Sequence, residues 1–387
     1  MAEQNDSPLL KQFKAFLYKM IELGGSDLHI KSNGYIRARI RGDIEKLSNS
    51  LITPEIGAGI CKAVLGEDRF KVFLKEKDLD FNFKLDENYR FRGNAFMQMD
   101  GISLVMRVIP VKIPSLEELK MPKILYDLAN TERGMVLVTG VTGSGKSTTL
   151  AAMINEINQN RPKHLITVED PVEFVHKENK CIINQRSVGQ DTKSFASALK
   201  GALREDPDII LIGEMRDIET VEIALHAAET GHLVFSTLHT LDAKETVNRI
   251  IGMFPSEEQN RIRLTLASIL EGVISQRLVK TVDGKRAAAM EILARTPRIA
   301  ELIKENRDSE IKDALEEGYS MYGTQSFDLA LVNLVMEGRI TEETALENAS
   351  SPDDLALKIK NEKLRAAAEN PDEVVEEEDD IIDLKMD

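Results

Sequence analysis

The chain has 387 residues, 42% of them hydrophobic, a length that supports two or three domains with separate cores rather than one. Its formal net charge of -15 is uneven: Asp372 to Asp387 carries nine Asp or Glu against one Lys, leaving a mildly acidic body of about -7. With no Lys/Arg run interleaved with aromatics, nucleic acid is not expected as the main partner.

Two isolated cysteines, Cys61 and Cys181, lack CxxC or HxxxH companions, so no zinc ribbon or disulfide framework is expected and buried reduced thiols are. The N-terminus has acids and no apolar h-region, and nowhere do about 18 apolar residues run together. A cytosolic protein is expected, reaching a membrane only through a partner.

Residues 1–109 read as a small α+β domain. A helix with Phe13, Phe16, Leu17 and Met20 on one side ends at Gly24-Gly25, and short alternating strands follow in YIRARI, LDFNFKL and RFRGNAFMQM. Pro110, Pro114 and Pro122 then punctuate residues 110–122, which read as a linker.

From 123 to 290 the pattern changes to continuous apolar runs separated by helices: MVLVT at 135–139, HLITV at 164–168, IILI at 209–212 and HLVFSTL at 232–238. Such runs imply a parallel sheet covered on both faces, an α/β domain. Beyond Met290 only helical signals remain, giving a helical region over 291–365, and residues 366–387 read as a disordered acidic tail.

The densest chemistry lies in GVTGSGKST, Gly140 to Thr148. It fits the G-x-x-x-x-G-K-[ST] phosphate loop and stands, as that motif requires, between an apolar strand and a helix. Gly140, Thr142, Gly143, Ser144 and Gly145 form the loop, Lys146 is expected at the β- and γ-phosphates of ATP, Ser147 at Mg2+, and Thr148 beside them.

The acidic partner is displaced by one residue. In DPDIILIGEMRD the strand is followed by Gly213, where an Asp linked to magnesium is often found, and then by Glu214. Asp208 lies at the wrong end of the strand, roughly 13 Å away, so Glu214 is the candidate to organise Mg2+ or polarise water. A second cluster, Glu169, Asp170 and Glu173 in ITVEDPVEF, can supply a carboxylate that orients the attacking water.

Two of six histidines bracket one apolar run, GHLVFSTLHT. A strand over 232–239 sets His232 and His239 roughly 23 Å apart, too far to share a metal. His239 falls on the carboxyl edge with the phosphate loop; His232, just after a helix stop at Gly231, reads as a structural hydrogen-bonding residue.

These blocks, together with GGSDLHI at 24–30, ALREDPDIILIGEMRDIET at 202–220 and AAETGHLVFSTLHT at 227–240, resemble the secretion ATPase superfamily and, within it, the type IV pilus retraction motors of the PilT and PilU families. The resemblance implies a PAS-like N-terminal domain followed by a RecA-like P-loop core. It also implies a homo-hexamer whose N-terminal domain lends arginines to a neighbour's ATP, with Arg90, Arg92 and Arg107 in the matching region. Glu214 would be the Walker B glutamate, Glu173 that of the Asp box, and His232 and His239 those of the His box. An inner-membrane pilus platform protein and a paralogous retraction ATPase are the implied partners, and the place of work the cytoplasmic side of that membrane.

The core block looks like PilT, whereas EETALENASSPDDLALKIK looks more like the end of PilU, and RIAELIKE at 298–305 matches the corresponding PilT segment only in part. A PilT-like motor is favoured, a PilU-like accessory motor the alternative. Pilus or type II secretion assembly ATPases usually carry a tetracysteine module absent here, and a RecA-like nucleic-acid translocase is disfavoured by the acidic body.

Overall fold

A computed structural model describes residues 7–86, 88–109 and 112–369. Pro110 of the expected linker and the acidic tail from residue 370 lie outside them.

The chain opens with α1 (Pro8–Glu22), its first turn capped by the Ser7 hydroxyl, which accepts the N-H of Leu10, and its apolar spacing burying Phe13, Leu17 and Met20. Then come β1 (Gly25–Lys31), β2 (Arg37–Ile40), β3 (Asp43–Lys46), α2 (Pro54–Leu65), α3 (Glu67–Glu76), β4 (Asp78–Lys84), β5 (Arg90–Gln98) and β6 (Gly101–Ile109). The middle of the chain forms α4 (Ile124–Ala129), β7 (Gly134–Thr139), α5 (Lys146–Asn160), β8 (His164–Glu169), β9 (Ile182–Ser187), α6 (Phe195–Ala202), β10 (Ile209–Ile212), α7 (Ile218–Glu229) and β11 (Leu233–Leu238). After α8 (Ala243–Gly252) and α9 (Ser256–Ile269) a hairpin follows, β12 (Leu270–Lys280) and β13 (Arg286–Ala294). The rest is helical: α10 (Pro297–Lys304), α11 (Ile311–Glu317), α12 (Tyr319–Tyr322), α13 (Phe327–Met336), α14 (Glu342–Asn348) and α15 (Pro352–Glu369).

Two compact units result, one of residues up to 114 with 157–213, the other of residues 115–156 with 214 onward. In the first, an antiparallel sheet runs β3-β2-β1-β6-β5-β4. Alternation along its strands sends Leu28, Ile30, Phe91 and Leu104 into a core shared with Phe13 and Leu17 of α1, Ile60 of α2 and Phe73 of α3. In register across the opposite face stand Arg39, Asp27, Arg107, Arg92 and Asn82. The same unit holds the parallel ladders of β8 with β9 and β10.

In the second unit the order is β13-β12-β7-β11, with β7 parallel to both neighbours and β13 antiparallel to β12. All six residues of β7 and all six of β11 are buried, as expected of strands covered on both faces.

Six strands escape the sequence reading: β1, β3 and β6 of the N-terminal sheet, and β9, β12 and β13. RAAAMEILA has the alanines of a good helix former, yet nine residues of register with β12 hold it extended. The purely helical region therefore begins at Pro297, and α15 continues to Glu369, into the stretch read as tail. Both cysteines are buried and free, and burial pushes the Cys61 thiol up to about 12, so it stays protonated.

Candidate nucleotide site

Between the end of β7 and the start of α5 the chain makes a loop with positive φ at Gly140 (139°), Gly143 (79°) and Gly145 (92°). A Cβ at 140 would meet the Gln276 carbonyl oxygen at 2.4 Å and one at 145 the Gln276 Nε2 at 2.7 Å, so close approach as well as backbone angle requires glycine there. Gln276, on β12 and 2% exposed, donates Nε2 to the Ser144 carbonyl (2.6 Å) and accepts the Thr149 hydroxyl (2.8 Å). Thr139 Oγ1 donates to Ser275 Oγ one residue earlier on the same strand (2.9 Å).

Lys146 Nζ donates to the carbonyls of Gly140 (2.7 Å) and Val141 (3.1 Å), curling over the loop. Thr142 and Gly143 are exposed at the loop tip, and Ser147 and Thr148 are half-buried in the first turn of α5. Ser144 Oγ is buried without a hydrogen-bond partner. A glycine-built turn of main-chain N-H groups, a lysine and a helix N-terminus together make a cradle for phosphate oxygens.

In register, Thr139 stands opposite Leu238, so Gly140 and His239 leave adjacent parallel strands at the same edge. Met215 donates its N-H to the Thr237 carbonyl (3.3 Å), which ties the stretch around Glu214 to β11. Glu214 is 18% exposed; its Oε2 accepts Arg216 Nη2 at 2.7 Å and its Oε1 lies 3.4 Å from His239 Nε2. These three residues line a cavity of about 360 Å³ with Thr240, Glu245 and Arg249.

At the start of α8 the Asp242 carboxylate accepts the Glu245 N-H (2.6 Å), and the Glu245 carboxylate accepts the Leu241 N-H (2.8 Å). This reciprocal cap fixes the turn that carries His239.

His232 lies just before β11, which is shorter than the run 232–239. Its Nδ1 is 2.9 Å from the Ala227 carbonyl, which also accepts the His232 N-H at 3.1 Å, and its carbonyl accepts the Gly134 N-H at 3.0 Å. The two imidazoles thus flank the strand at opposite ends. Among the described residues no group of three or more His, Cys, Asp or Glu is placed to hold a metal ion.

The second acidic cluster belongs to the other unit. Burial pushes the Glu169 carboxyl up, opposed by hydrogen bonds from the Thr167 hydroxyl (2.6 Å), the Glu173 N-H (3.4 Å) and Gln185 Nε2 (3.3 Å). Asp170 and Glu173 are exposed after β8. Asp208 precedes β10, at the end of the strand away from Glu214, and accepts the His164 N-H (2.8 Å). Gly213 donates to the Val168 carbonyl (2.7 Å), and a Cβ on it would stand 3.1 Å from the Glu169 Cα.

Arg90, Arg92 and Arg107 are exposed on one face of the N-terminal sheet, Arg92 in register with Arg107. Arg107 Nε donates to Asp27 Oδ1 (2.7 Å). Burial raises the Asp27 carboxyl, but the Ser26 hydroxyl and Arg107 outweigh it and hold the group below its usual range.

Sequence reasoning missed Gln276, Arg216, Glu245 and Arg249. Gln276 had a signal, a large amide interrupting the apolar strand GVISQRLV; the others depend on how α8 and the turn after β10 come together.

A phosphate cradle opening a helix, with a glutamate and a histidine on the same carboxyl edge of parallel strands, defines a P-loop ATPase. The chain belongs to the type II/IV secretion system protein family, whose model matches residues 2–365. It is similar to the type IV pilus retraction ATPase PilT of Pseudomonas aeruginosa, 44% identical over 330 residues that cover 85% of this chain and 96% of that one. A twitching motility protein of Neisseria gonorrhoeae is 47% identical over 320 residues (82% and 85%), and the type IV pilus ATPase PilU of P. aeruginosa 41% over 350 (90% and 91%). Among solved structures, the pilus retraction motor PilT with bound ADP superposes with a TM-score of 0.80 at 43% identity, covering 88% of this chain and 98% of that one.

Proposed function

We propose that this ATPase is a PilT-like motor that couples ATP hydrolysis to disassembly of a type IV pilus, delivering work through an inner-membrane platform protein. The observation that carries the reading is the pairing of Glu214 with His239 on the sheet edge that carries the phosphate loop, in a chain 44% identical to a pilus retraction ATPase.

In this reading the N-H groups of Gly140 to Gly145 and the Lys146 ammonium hold the β- and γ-phosphates, with Thr142 and Thr148 flanking them. Oxygen donors suit Mg2+, and Ser147 would hold it, with Glu214 the candidate to organise it. When bound, the ion neutralises charge developing between the phosphates. Glu214 orients the attacking water, Glu173 is the candidate base from the Asp box, with Glu169 and Asp170 supporting it, and His239 senses the γ-phosphate through Nε2. His232 keeps the strand in place. Positioning and electrostatics carry most of the barrier, since phosphoryl transfer leaves the protein little covalent chemistry.

The first residues form a PAS-like domain, the middle a RecA-like core, and the stretch 110–122 the hinge between them in a homo-hexamer. Arg90, Arg92 and Arg107 are the candidates to reach a neighbour's ATP. The place of work in this reading is peripheral, on the cytoplasmic side of the inner membrane; among the described residues no helix is long and apolar enough to cross a membrane.

Glu214→Gln is expected to abolish magnesium-dependent ATPase activity, and deletion of the gene to leave cells with accumulated, non-retracting pili. Unchanged hydrolysis in the variant, or bald cells after deletion, would sink the reading. A PilU-like accessory role is favoured by one observation, the longer span of the PilU match. It predicts that deletion alone leaves retraction largely intact.

A further inference from the structure

Glu291 is a buried carboxylate to which the reading above gives no part. It sits on β13 at 6% exposure, and its Oε1 accepts the N-H of Ala243, the first residue of α8, at 2.8 Å. On the β12 side it stands in register with Ser275, whose hydroxyl accepts that of Thr139 at the end of β7. One line of residues therefore runs from the strand feeding the phosphate loop, across the hairpin, to the helix that follows His239.

Burying a carboxylate is expensive unless it is hydrogen-bonded or paired, so the groups around Glu291 matter. Asp242 repels it, Arg277 of β12 and Lys312 of α11 attract it, and Lys312 is already bridged to Asp328 at 3.1 Å. The partially positive N-terminus of α8 provides the direct contact. That helix carries Glu245 and Arg249 into the cavity, and its first turn closes the segment 239–242.

We propose that Glu291 is a positioning residue for hydrolysis: by holding the first turn of α8 it fixes the turn 239–242 and so keeps the His239 imidazole against Glu214. The proposal rests on the reading of His239 and Glu214 as the hydrolytic pair.

The test is a double-mutant cycle on the full chain, with His239→Ala, Glu291→Ala, their combination, and Glu291→Gln, which keeps an oxygen acceptor. The expected result is a kcat about tenfold lower in Glu291→Ala with KM for ATP within about twofold, recovery to within about threefold in Glu291→Gln, and no further loss from Glu291→Ala once His239 is gone. A kcat within about twofold of wild type in Glu291→Ala, or an equal loss in the His239→Ala background, overturns the proposal. If His239→Ala alone leaves kcat unchanged, the underlying site reading fails and the proposal falls with it, a result distinct from a failure confined to Glu291. Should Glu291→Ala not fold, Glu291→Met replaces it; if neither folds while Glu291→Gln is normal, the residue serves the fold alone and the proposal is wrong.

Discussion

His239 and Arg216 divide the Glu214 carboxylate between them, Nε2 3.4 Å from one oxygen and Nη2 2.7 Å from the other. The guanidinium side chain is 64% exposed, so its ion pair adds under about 1 kcal/mol to stability. Its effect lies in where the carboxylate points. Arg216→Ala is expected to leave the melting temperature nearly unchanged while lowering kcat about three- to tenfold; steady-state ATPase alongside a thermal melt decides it, and a variant with full activity would refute the positioning argument.

Gln276 answers to two buried groups on the phosphate loop. Gln276→Ala leaves the Ser144 carbonyl and the Thr149 hydroxyl without their amide partner, at a cost of roughly 1–3 kcal/mol for each group. Lower stability and a several-fold weaker affinity for ATP are expected together, read by urea unfolding and by titration with a fluorescent ATP analogue. Loss of stability with unaltered affinity would mean that the loop holds its shape without β12.

The two histidines of GHLVFSTLHT should separate cleanly. His232→Ala removes the imidazole's hydrogen bond to the Ala227 carbonyl and is expected to lower stability by about 1 kcal/mol with hydrolysis per folded molecule preserved. His239, 45% exposed, should do the reverse: little change on melting and a large loss of turnover. Equal effects on either readout would show that the division is wrong.

Glu291 also has a signature in solution. Burial pushes its carboxyl from the ordinary 4.5 up to about 7, so between those values the folded protein binds more protons than the unfolded chain. Stability contributed by this group is therefore highest below about pH 4.5, declines as pH rises toward 7, and stays lowered above it, by up to roughly 3 kcal/mol. Glu291→Gln removes the penalty and should melt above wild type at pH 8, the gap closing toward pH 5; parallel melting curves across that range would contradict it.

How legible this was follows from the range of the interactions. The phosphate loop could be read because its spacing is local, and β7, β8, β10 and β11 because strands buried on both faces leave unbroken apolar runs. The alanine-rich β13 could not, since its state depends on the register of its neighbour. Gln276 reaches a loop 132 residues away, and Glu291 a helix 48 residues away. No window of sequence contains either pairing. Glu214 was legible by elimination, because Asp208 lies at the far end of a four-residue strand.

Gly213 gives the displaced glutamate a geometric cause. Its N-H is bonded to the Val168 carbonyl, and any side chain at that position would press on the Glu169 main chain at about 3.1 Å. The place where many phosphate-loop proteins put an acid is closely approached here by the neighbouring strand. An aspartate at 213 would therefore need the Glu169 main chain to give by a few tenths of an ångström, so the glycine at this position is a matter of clearance as well as of chemistry.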